Sequence, residues 1–378
     1  MRIIFLLYHG FSESSGISKK ILCQIKALRE LGHTVDVCTY GINKNRHRVR
    51  MMNEEVIEDY GTGKWAAVRK RISYGSIYRY AVSQGVDMIY VRSFHNANPF
   101  TVRLFHRLQK TGIKIAMEIP TYPYDSEYKG FPFITRCGLQ IDRLFRRALA
   151  KRVNAIVTFS DEARIFGQRT IRISNGVDFD AVPLRKTSGL DSSSAIHLIG
   201  VAEVHYWHGY DRLIHGLGEY YRQPHDREIY FHIVGGVWKS EMYDSQHAPG
   251  FHELITRYHI RKQVIFHGQM MGKELDELFD RADFAIGSLA RHRSHIDKIK
   301  TLKNREYAAR GIPFIYSETD EDFDRMPYIL KAPADESAID INEIVRFYSA
   351  LDIPPEQIRN SIGRLSWKNQ MKKVIKEL

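Results

Sequence analysis

The sequence contains few cysteines and no long apolar run. Its 378 residues include three cysteines, Cys23, Cys38 and Cys137, whose spacing matches no metal-ligand pattern. Because three thiols are too few for a disulfide framework, a reducing compartment, the cytoplasm, is expected. No stretch approaches the roughly 18 apolar residues that a membrane-spanning helix needs. The apolar residues 3–8 precede no small-residue cleavage site, so we expect a first buried strand there rather than a leader peptide.

The sequence also lacks several ligand-binding signatures. It has neither a Walker loop nor a Gly-x-Gly-x-x-Gly spacing, which removes the main support for a kinase or a dehydrogenase. Its histidines and cysteines do not cluster with ligand spacing, so neither a metal nor another cofactor is predicted. No recognisable nucleic-acid-binding module is present, so nucleic acid is not an expected partner.

Positive charge is concentrated in the first half of the chain. The formal net charge is +12, and residues 1–190 contain 31 Lys and Arg against 16 Asp and Glu. This asymmetry indicates an anionic partner, such as an acidic membrane surface or a phosphorylated substrate. Residues 43–52 and 64–80 are basic and partly aromatic, which fits peripheral contact with an anionic membrane. A merely solvated basic surface is the alternative.

Apolar runs alternate with segments of helical periodicity along the whole chain, which predicts an α/β fold with parallel sheets covered by helices on both faces. The rhythm pauses at residues 181–195, where proline, glycine and serine replace periodic apolar residues. The length suits two domains. We therefore predict one doubly wound, Rossmann-like domain over residues 1–187, a second over 188–352, and terminal helices over 353–378 that cross back to the first domain.

Five segments of the sequence follow one another in the order of a known family. They are residues 16–39, 173–182, 200–217, 264–289 and 305–315. In this order they resemble the retaining glycosyltransferases of family 4. That family has the GT-B fold, in which two Rossmann-like domains face each other across a cleft. The resemblance implies an N-terminal acceptor domain and a C-terminal donor domain.

The resemblance implies an enzyme of hexosyltransferase type. It would move a sugar from a nucleotide-sugar donor to a glycan or lipid-linked acceptor, with retention, in polysaccharide or glycoconjugate biosynthesis. In the family two glutamates contact the donor; Glu306 matches the second, which binds the ribose, whereas the first falls at Lys298. This departure leaves two alternatives open: a GT-B relative that binds nucleotide or glycan without transfer, and a nucleotide-sugar epimerase.

Cations near Glu306 are the predicted diphosphate ligands. The charge on a departing diphosphate must be balanced by fixed positive groups, and we assign this role to Lys303 and Arg293. For Lys303 the alternative is an ion pair with Glu306 on a solvated helix face. His208, in a loop after a predicted strand, is a further candidate for the diphosphate, or else a solvated or capping histidine.

Two glycines complete the predicted donor site. Gly16 opens a helix after a serine-rich loop, and the free backbone N–H groups of such a helix end suit a phosphate. A plain loop with a serine cap is the alternative. Gly268 is expected near the nucleotide base, because the equivalent family loop lies there.

The acceptor-side candidates follow predicted strands of the first domain. Arg92, His95, Tyr122 and Tyr124 combine hydrogen-bonding and aromatic groups, a combination that binds sugar rings. Glu118 lies where many family members have a histidine near the reacting carbon, so Glu118 and Glu306 are the catalytic candidates. A buried structural Glu–Arg pair is an equally good interpretation of Glu118.

Overall fold

The computed structural model describes residues 1–12, 16–92, 96–125, 133–186, 195–237, 239, 242 and 249–378, except for the side chain of residue 134. Contacts divide the chain into two compact units. Unit 1 comprises Met1–Gly176 and Trp367–Leu378, and unit 2 comprises Val177–Ser366. Within the described residues, no helix combines the length and the apolar character that crossing a bilayer requires.

Unit 1 is built on one large sheet. Its parallel centre runs β2-β1-β5-β6-β7-β9, and antiparallel strands extend both ends to give, within the described residues, the order β4-β3-β2-β1-β5-β6-β7-β9-β8. The strands are β1 Arg2–Leu6, β2 Thr34–Ile42, β3 Arg48–Met52, β4 Glu55–Asp59, β5 Met88–Arg92, β6 Lys114–Ile119, β7 Ala155–Thr158, β8 Arg164–Ile165 and β9 Gln168–Arg172. The helices are α1 Gly16–Glu30, α2 Gly63–Ile72, α3 Gly75–Ser83, α4 Pro99–Lys110 and α5 Phe133–Ala150.

Alternation along the strands explains why helices cover both faces of this sheet. Neighbouring side chains of a strand point to opposite faces, and on β1 Ile4 and Leu6 enter one apolar core while Ile3 and Phe5 enter the other. A strand that is apolar on both sides can be buried only between two layers. α1 supplies part of one layer through its buried residues at helical spacing, and Gly32, at φ +82°, lies just beyond its end.

Unit 2 contains a smaller sheet in which every strand pair is parallel. Within the described residues its order is β12-β11-β10-β13-β14-β15, which is the Rossmann order. The strands are β10 Ile196–Val201, β11 Ile229–Val234, β12 Val264–Gly268, β13 Phe284–Ile286, β14 Phe314–Tyr316 and β15 Ile329–Lys331. The helices are α6 Tyr210–Tyr221, α7 Phe251–Tyr258, α8 Lys273–Asp280, α9 Leu302–Ala309, α10 Ile341–Ala350 and α11 Pro355–Ser361, with single 3-10 turns at Tyr206–His208, Arg291–Ser294 and Gly363–Leu365.

The compact units divide at other residues than those predicted. Residues 177–186 belong to unit 2, because the N–H of Val177 donates to the carbonyl of Leu365 and that of Arg185 to the carbonyl of Arg310. Residues 353–366 also belong to unit 2, where Arg359 donates to the carbonyl of Val182 at 2.8 Å. The last helix, α12 Trp367–Glu377, belongs to unit 1.

A row of hydrogen-bonded histidines crosses the second sheet. Nδ1 of His197 on β10 lies 2.9 Å from Nε2 of His232 on β11, and Nδ1 of His232 lies 2.9 Å from Nε2 of His267 on β12. Each contact needs one proton between two nitrogens, and three neutral rings can supply both protons. Burial, followed by the neighbouring histidines and Arg281, lowers the pKa of His232 to about 4.

We expect this row to make stability depend on pH. The pKa of His232 is lower in the folded chain than its ordinary value of 6.5. Above about pH 6.5 the ring is neutral in both the folded and the unfolded chain, so His232 does not make stability depend on pH there. As the pH falls from there toward 4, stability is lost, by at most about 3 kcal/mol. Thermal unfolding of His232→Asn measured across this window is expected to vary less with pH. The exposed control His252→Asn is expected to keep the wild-type dependence, and an unchanged His232→Asn profile would contradict the prediction.

Candidate functional site

The second sheet reverses its strand order between β10 and β13. β10 is the first strand of unit 2 and lies between β11 and β13. The strands β11 and β12 are added on one side of it, and β13, β14 and β15 are added on the other side. In open parallel sheets, ligands bind beyond the carboxyl ends of the strands at such a point. The loops that follow these two strands are joined there, because the N–H of Leu289 donates to the carbonyl of His208 at 2.9 Å. This edge is therefore the candidate ligand site of unit 2.

Buried polar atoms without hydrogen-bond partners are concentrated at this edge. Buried polar atoms are normally paired, and each unpaired one costs about 1–3 kcal/mol. A group of them at one edge therefore indicates a site that a polar ligand completes. Among the described residues we name this group the polar cluster: Tyr210 Oη, Ser288 Oγ, Arg291 Nε, Thr301 Oγ1, Lys303 Nζ, both amide atoms of Asn304 and both carboxylate oxygens of Glu318.

The polar cluster draws its members from several elements that end at this edge. Ser288 follows β13 and Glu318 follows β14, and the N–H of Ser317 donates to the carbonyl of Ser288 at 2.9 Å. Lys303 lies in the first turn of α9, and its Nζ is 5.9 Å from the ring centroid of Tyr210 on α6. Two strand ends and two helices thus present polar groups to one place.

Burial shifts the pKa values of the charged groups in the polar cluster toward their neutral forms. Burial lowers the pKa of Lys303 to about 7, although Glu318 acts in the opposite direction. Burial also raises the pKa of the Glu318 carboxyl and lowers that of Arg291. Since neither Lys303 Nζ nor the Glu318 oxygens have a hydrogen-bond partner among the described residues, this acid and this base remain available to a ligand.

His208 belongs to the same edge as a neutral ring. Its Nδ1 accepts the backbone N–H of His205 at 3.0 Å, so the neutral ring carries its proton on Nε2. Burial, with smaller contributions from Lys303 and Arg291, holds the pKa of His208 well below its usual value. His208 can therefore donate one hydrogen bond to a ligand, but it does not supply the positive charge that a diphosphate ligand was expected to need.

Arg293 is engaged by the protein itself. Its guanidinium donates to both carboxylate oxygens of Asp211 at 2.9 and 2.8 Å, to the carbonyl of Tyr206 at 2.9 Å and to Glu336, and its side chain is 3% exposed. These bonds clamp the loop after β13 to the loop after β10. They argue against the predicted diphosphate role, for which Arg291, with its unpartnered Nε, is better placed.

Glu306 pairs with an arginine one turn later on the same helix. Arg310 donates to its Oε1 from Nε and Nη2 at 3.1 and 3.0 Å, and Arg310 also lies 2.8 Å from Asp276 on α8. The alternative of a Lys303–Glu306 ion pair is wrong, because Lys303 Nζ has no hydrogen-bond partner in the described part of the chain. Glu306 remains partly exposed, with 33% of its side chain accessible.

The two predicted glycines lie at element ends. Gly268 closes β12 with a φ of +67°, and its carbonyl accepts the N–H of Gly235 at 2.6 Å. This left-handed backbone suits glycine at a turn that follows a strand. Gly16 is the first residue of α1, and a Cβ built on it would meet nothing within 4 Å. The backbone of Gly16 is therefore open to close approach.

Glu118 lies at the centre of a buried network in unit 1. Its fully buried carboxylate accepts bonds from Arg92 at 2.8 Å, Tyr90 at 2.5 Å and Gln24 at 2.7 Å, and Lys20 lies 3.8 Å away. Burial raises the pKa of Glu118, but Lys20, Arg92 and the two other hydrogen bonds outweigh burial, so the pKa lies below its ordinary value. The geometry is that of the structural Glu–Arg pair, which leaves the carboxylate no open side for a substrate.

The aromatic acceptor candidates pack against each other. Tyr124 is buried, and its hydroxyl donates to Asp142 at 2.6 Å. Its ring and that of Tyr122 both contact the edge of Phe166, with centroids 6.1 and 5.6 Å away. Tyr124 is thus a core residue, whereas Tyr122 is partly exposed. His95 lies outside the described residues.

A cavity of about 570 Å³ opens at the carboxyl edge of the first sheet. Arg92, the last residue of β5, reaches it from the Glu118 network. Its other walls come from the segment after β1, from β2, from α2 and the residues that follow it, from the start of α4 and the residues before it, and from α5. The sequence analysis had placed Arg92 on the acceptor side but had not identified the tyrosines and the α2 cations that line the cavity with it.

Of the polar cluster, the sequence analysis had predicted Lys303 alone, and Glu318 and Arg291 are the two missed members that carry charge. Glu318 follows the buried strand β14, and Arg291 follows β13 by a few residues. Both positions satisfy the rule that ligand-binding loops come after parallel strands. That rule was applied to the loops of unit 1 and to His208, and applying it to every strand would have found both residues.

Solved structures resemble the chain, although no family model and no curated protein matches it. A glycosyltransferase from Rickettsia africae is similar with a TM-score of 0.63 at 14% identity, over 100% of this chain and 97% of that chain. HepE from Anabaena, in complex with UDP and glucose, is similar with a TM-score of 0.56 at 14% identity over 100% of both chains. Sucrose-phosphate synthase from Thermosynechococcus elongatus gives 0.57 at 15% identity over 99% of this chain and 94% of that chain.

The fold is GT-B. The predicted class, α/β with two doubly wound domains, is thereby confirmed. In this GT-B chain the strand order of unit 2 is that of a nucleotide-binding Rossmann sheet, and the polar cluster lies at its switch point.

Replacing Glu118 distinguishes its structural role from a catalytic one. Glu118→Gln would remove the carboxylate charge that pairs with the buried Arg92, so we expect a loss of about 3–5 kcal/mol in the free energy of unfolding. Chemical denaturation measures this loss. The matched variant Glu30→Gln removes an exposed carboxylate from α1 and is expected to change little. A Glu118→Gln protein of wild-type stability would contradict the structural role.

The free energy of unfolding is expected to depend strongly on the charge of Arg293 and only weakly on that of Lys303. Arg293→Met strands the buried Asp211 carboxylate and should lower the free energy of unfolding by about 3–5 kcal/mol. Lys303→Met removes a buried cation without hydrogen bonds, so we expect a value within about 1 kcal/mol of wild type. Denaturant titrations of the two variants side by side test this. Equal losses would show that Lys303 supports the fold as Arg293 does.

Proposed function

We propose that the protein is a glycosyltransferase of hexosyltransferase type, which moves a sugar from a nucleotide-sugar donor to a glycan or lipid-linked acceptor, with retention, in polysaccharide or glycoconjugate biosynthesis. The observation that carries this proposal is the polar cluster, where the buried Nζ of Lys303, the buried Nε of Arg291 and the buried carboxylate of Glu318 lack hydrogen-bond partners among the described residues. A nucleotide diphosphate joined to a sugar offers the complementary groups. The similarity in fold to glycosyltransferases supports the proposal.

The proposed roles in the polar cluster follow from charge. Lys303 and Arg291 balance the negative charge on the departing diphosphate, which is the main electrostatic demand of such a transfer. The Nε2–H of His208 donates a neutral hydrogen bond to the same group. The Glu318 carboxylate accepts hydrogen bonds from hydroxyls of the donor sugar. It thereby takes the place of the family's first donor-binding glutamate, whose position is occupied by Lys298 in this chain.

Other sequence predictions also stay in the proposal. In unit 2, the second oxygen of Glu306 accepts the ribose hydroxyls and Gly268 borders the base. In unit 1, the open backbone at Gly16 suits a phosphate. Because fixed cations serve the diphosphate, the proposed reaction uses no bound cofactor or metal. On the acceptor side we retain Arg92 and Tyr122, and we propose that the basic residues 43–52 and 64–80 hold a cytoplasmic protein on an anionic membrane face.

Diphosphate binding is expected to depend on pH through Lys303. Its pKa of about 7 in the free protein means that above pH 7 a proton must be taken up when a diphosphate binds. Affinity for UDP should therefore fall up to about tenfold per pH unit above 7, while affinity for uridine stays constant. Isothermal titration calorimetry between pH 7 and 9, in buffers of different ionisation enthalpy, measures both affinity and proton uptake. UDP and UDP-glucose are the first probes, because both occur in HepE structures.

Variants make this titration decisive. Lys303→Met should weaken UDP binding by about tenfold or more and abolish proton uptake, whereas uridine binding should not change. Lys262→Met removes an exposed lysine of the same unit and serves as the control for net charge. If Lys303→Met weakens UDP and uridine equally, the phosphate role is wrong.

A panel of nucleotide sugars tests turnover itself. Release of the free sugar, or its transfer to an added acceptor, supports the transferase. Tight binding of a nucleotide sugar without turnover would favour a GT-B relative that binds without transfer, and formation of a free epimer would favour an epimerase. Glu318→Gln is expected to slow turnover of the preferred donor while leaving UDP affinity within about threefold of wild type.

A further inference from the structure

The lining of the cavity of unit 1 is positively charged, and Glu118, which pairs with Arg92, lies behind it and not in it. Lys70 and Arg71 on α2 reach it with Arg92, and none of the described residues that line it is Asp or Glu. Arg92 is more than nine-tenths buried, and its Nε has no hydrogen-bond partner among the described residues. Burial, with Arg48, Arg71 and Arg50, lowers the pKa of Lys70. The field inside this cavity therefore favours an anion.

Aromatic rings form part of the same cavity. Tyr8, Tyr40 and Tyr74 line it, and Nζ of Lys70 lies 4.5 Å from the ring centroid of Tyr40. Tyr8 and Tyr40 stack with centroids 6.3 Å apart, and Tyr74 meets the Tyr8 ring edge-on at 6.4 Å. A wall of rings beside cations suits a ligand that combines an anionic group with flat or apolar parts.

Large apolar side chains are exposed around the opening of the cavity. On α2, Val68 and Ile72 line the cavity and Trp65, one turn before Val68, is 81% exposed. Phe100 at the start of α4 and Ile141 on α5 also line it, and Leu144 extends the α5 face. Each is at least 40% exposed. We call these six residues the apolar rim.

The apolar rim fits an apolar partner, whereas the cavity beside it fits an anionic group. Soluble proteins seldom expose a contiguous group of large apolar side chains without a binding role. A second copy of the chain would bring the same basic surface against itself, and like charges oppose that contact. A neutral soluble glycan would satisfy neither the three cations nor the rim. An anionic lipid satisfies both, since tryptophan and basic residues together favour a membrane interface.

We propose that this cavity binds the phosphate group of a lipid-carried acceptor while the apolar rim rests in the surface of the bilayer that holds the lipid. The inference builds on the proposed function and names the acceptor class. Arg92, Lys70 and Arg71 bind the phosphate, and the tyrosines contact the groups attached to it. The rim brings the cavity to the depth at which a lipid phosphate lies.

Vesicle binding tests the proposal directly. The full chain is mixed with phosphatidylcholine vesicles that contain either a polyprenyl phosphate or the corresponding polyprenol, and the bound fraction is measured by flotation. Trp65 reports contact with the bilayer through a blue shift of its fluorescence, and Trp65→Phe identifies that signal. We expect binding to the phosphate vesicles at least about tenfold tighter than to the polyprenol vesicles.

Paired variants assign the binding to the cavity. Lys70→Gln/Arg71→Gln is expected to weaken binding to polyprenyl phosphate vesicles by roughly ten- to thirtyfold. Lys110→Gln/Lys114→Gln removes the same charge from exposed positions at the end of α4 and the start of β6 and should leave it unchanged. Trp65→Ser/Leu144→Ser should abolish the tight binding while the variant's thermal unfolding stays that of wild type.

Three outcomes would overturn the proposal. Equal binding to vesicles with polyprenyl phosphate and to vesicles with polyprenol would show that the cavity does not bind the phosphate group. Full competition by a soluble sugar phosphate at the same concentration as the lipid would show that the lipid is not needed. Self-association through the rim, seen as a concentration-dependent mass without vesicle binding, would assign the rim to a second copy. Donor binding is measured separately, so vesicle binding without any nucleotide-sugar binding would count against the transferase and not against this cavity.

Discussion

A buried carboxylate that must be kept charged organises the carboxyl edge of the first sheet. Glu118 has no access to water, so its charge is tolerable only because Arg92, Tyr90, Gln24 and Lys20 surround it. These groups come from β5 and α1, whereas Glu118 lies on β6. The network therefore fixes one helix and two strands relative to each other. It also orients Arg92, whose guanidinium reaches the cavity because one of its ends is held by Glu118.

The second unit separates charges that support the fold from charges that are available to ligands. Arg305 and Asp320 are both fully buried and joined at 2.6 Å, and Arg305 also pairs with Asp322 and donates to the carbonyl of Thr301. Lys303, two residues earlier, is equally enclosed at its Nζ but has no hydrogen bond among the described residues. Both cations lie on the same short helix, α9. Pairing, rather than burial, thus separates a charge that supports the fold from one that is left available to a ligand.

Local pattern was enough to predict the framework but not the partners of individual side chains. The spacing of Ile21, Ile25 and Leu28 gave α1, because a helix buries every third or fourth residue whatever it packs against. Arg291 and Arg293 could not be told apart, since both lie in one 3-10 turn and only tertiary contacts direct one of them to Asp211. The lengths of the two units escaped prediction for the same reason. Their limits depend on hydrogen bonds between segments far apart in the sequence.

The antiparallel strands at the ends of the first sheet have a consequence for how the chain behaves in a crowded solution. An edge strand presents unpaired amides and carbonyls that can recruit a strand from another molecule. Among the described residues, one edge is β4, five residues with carboxylates at Glu55, Glu58 and Asp59, and the other is β8, two residues long. Charge at one edge and brevity at the other discourage strand addition, so the wide parallel centre is protected from aggregation by the strands that flank it.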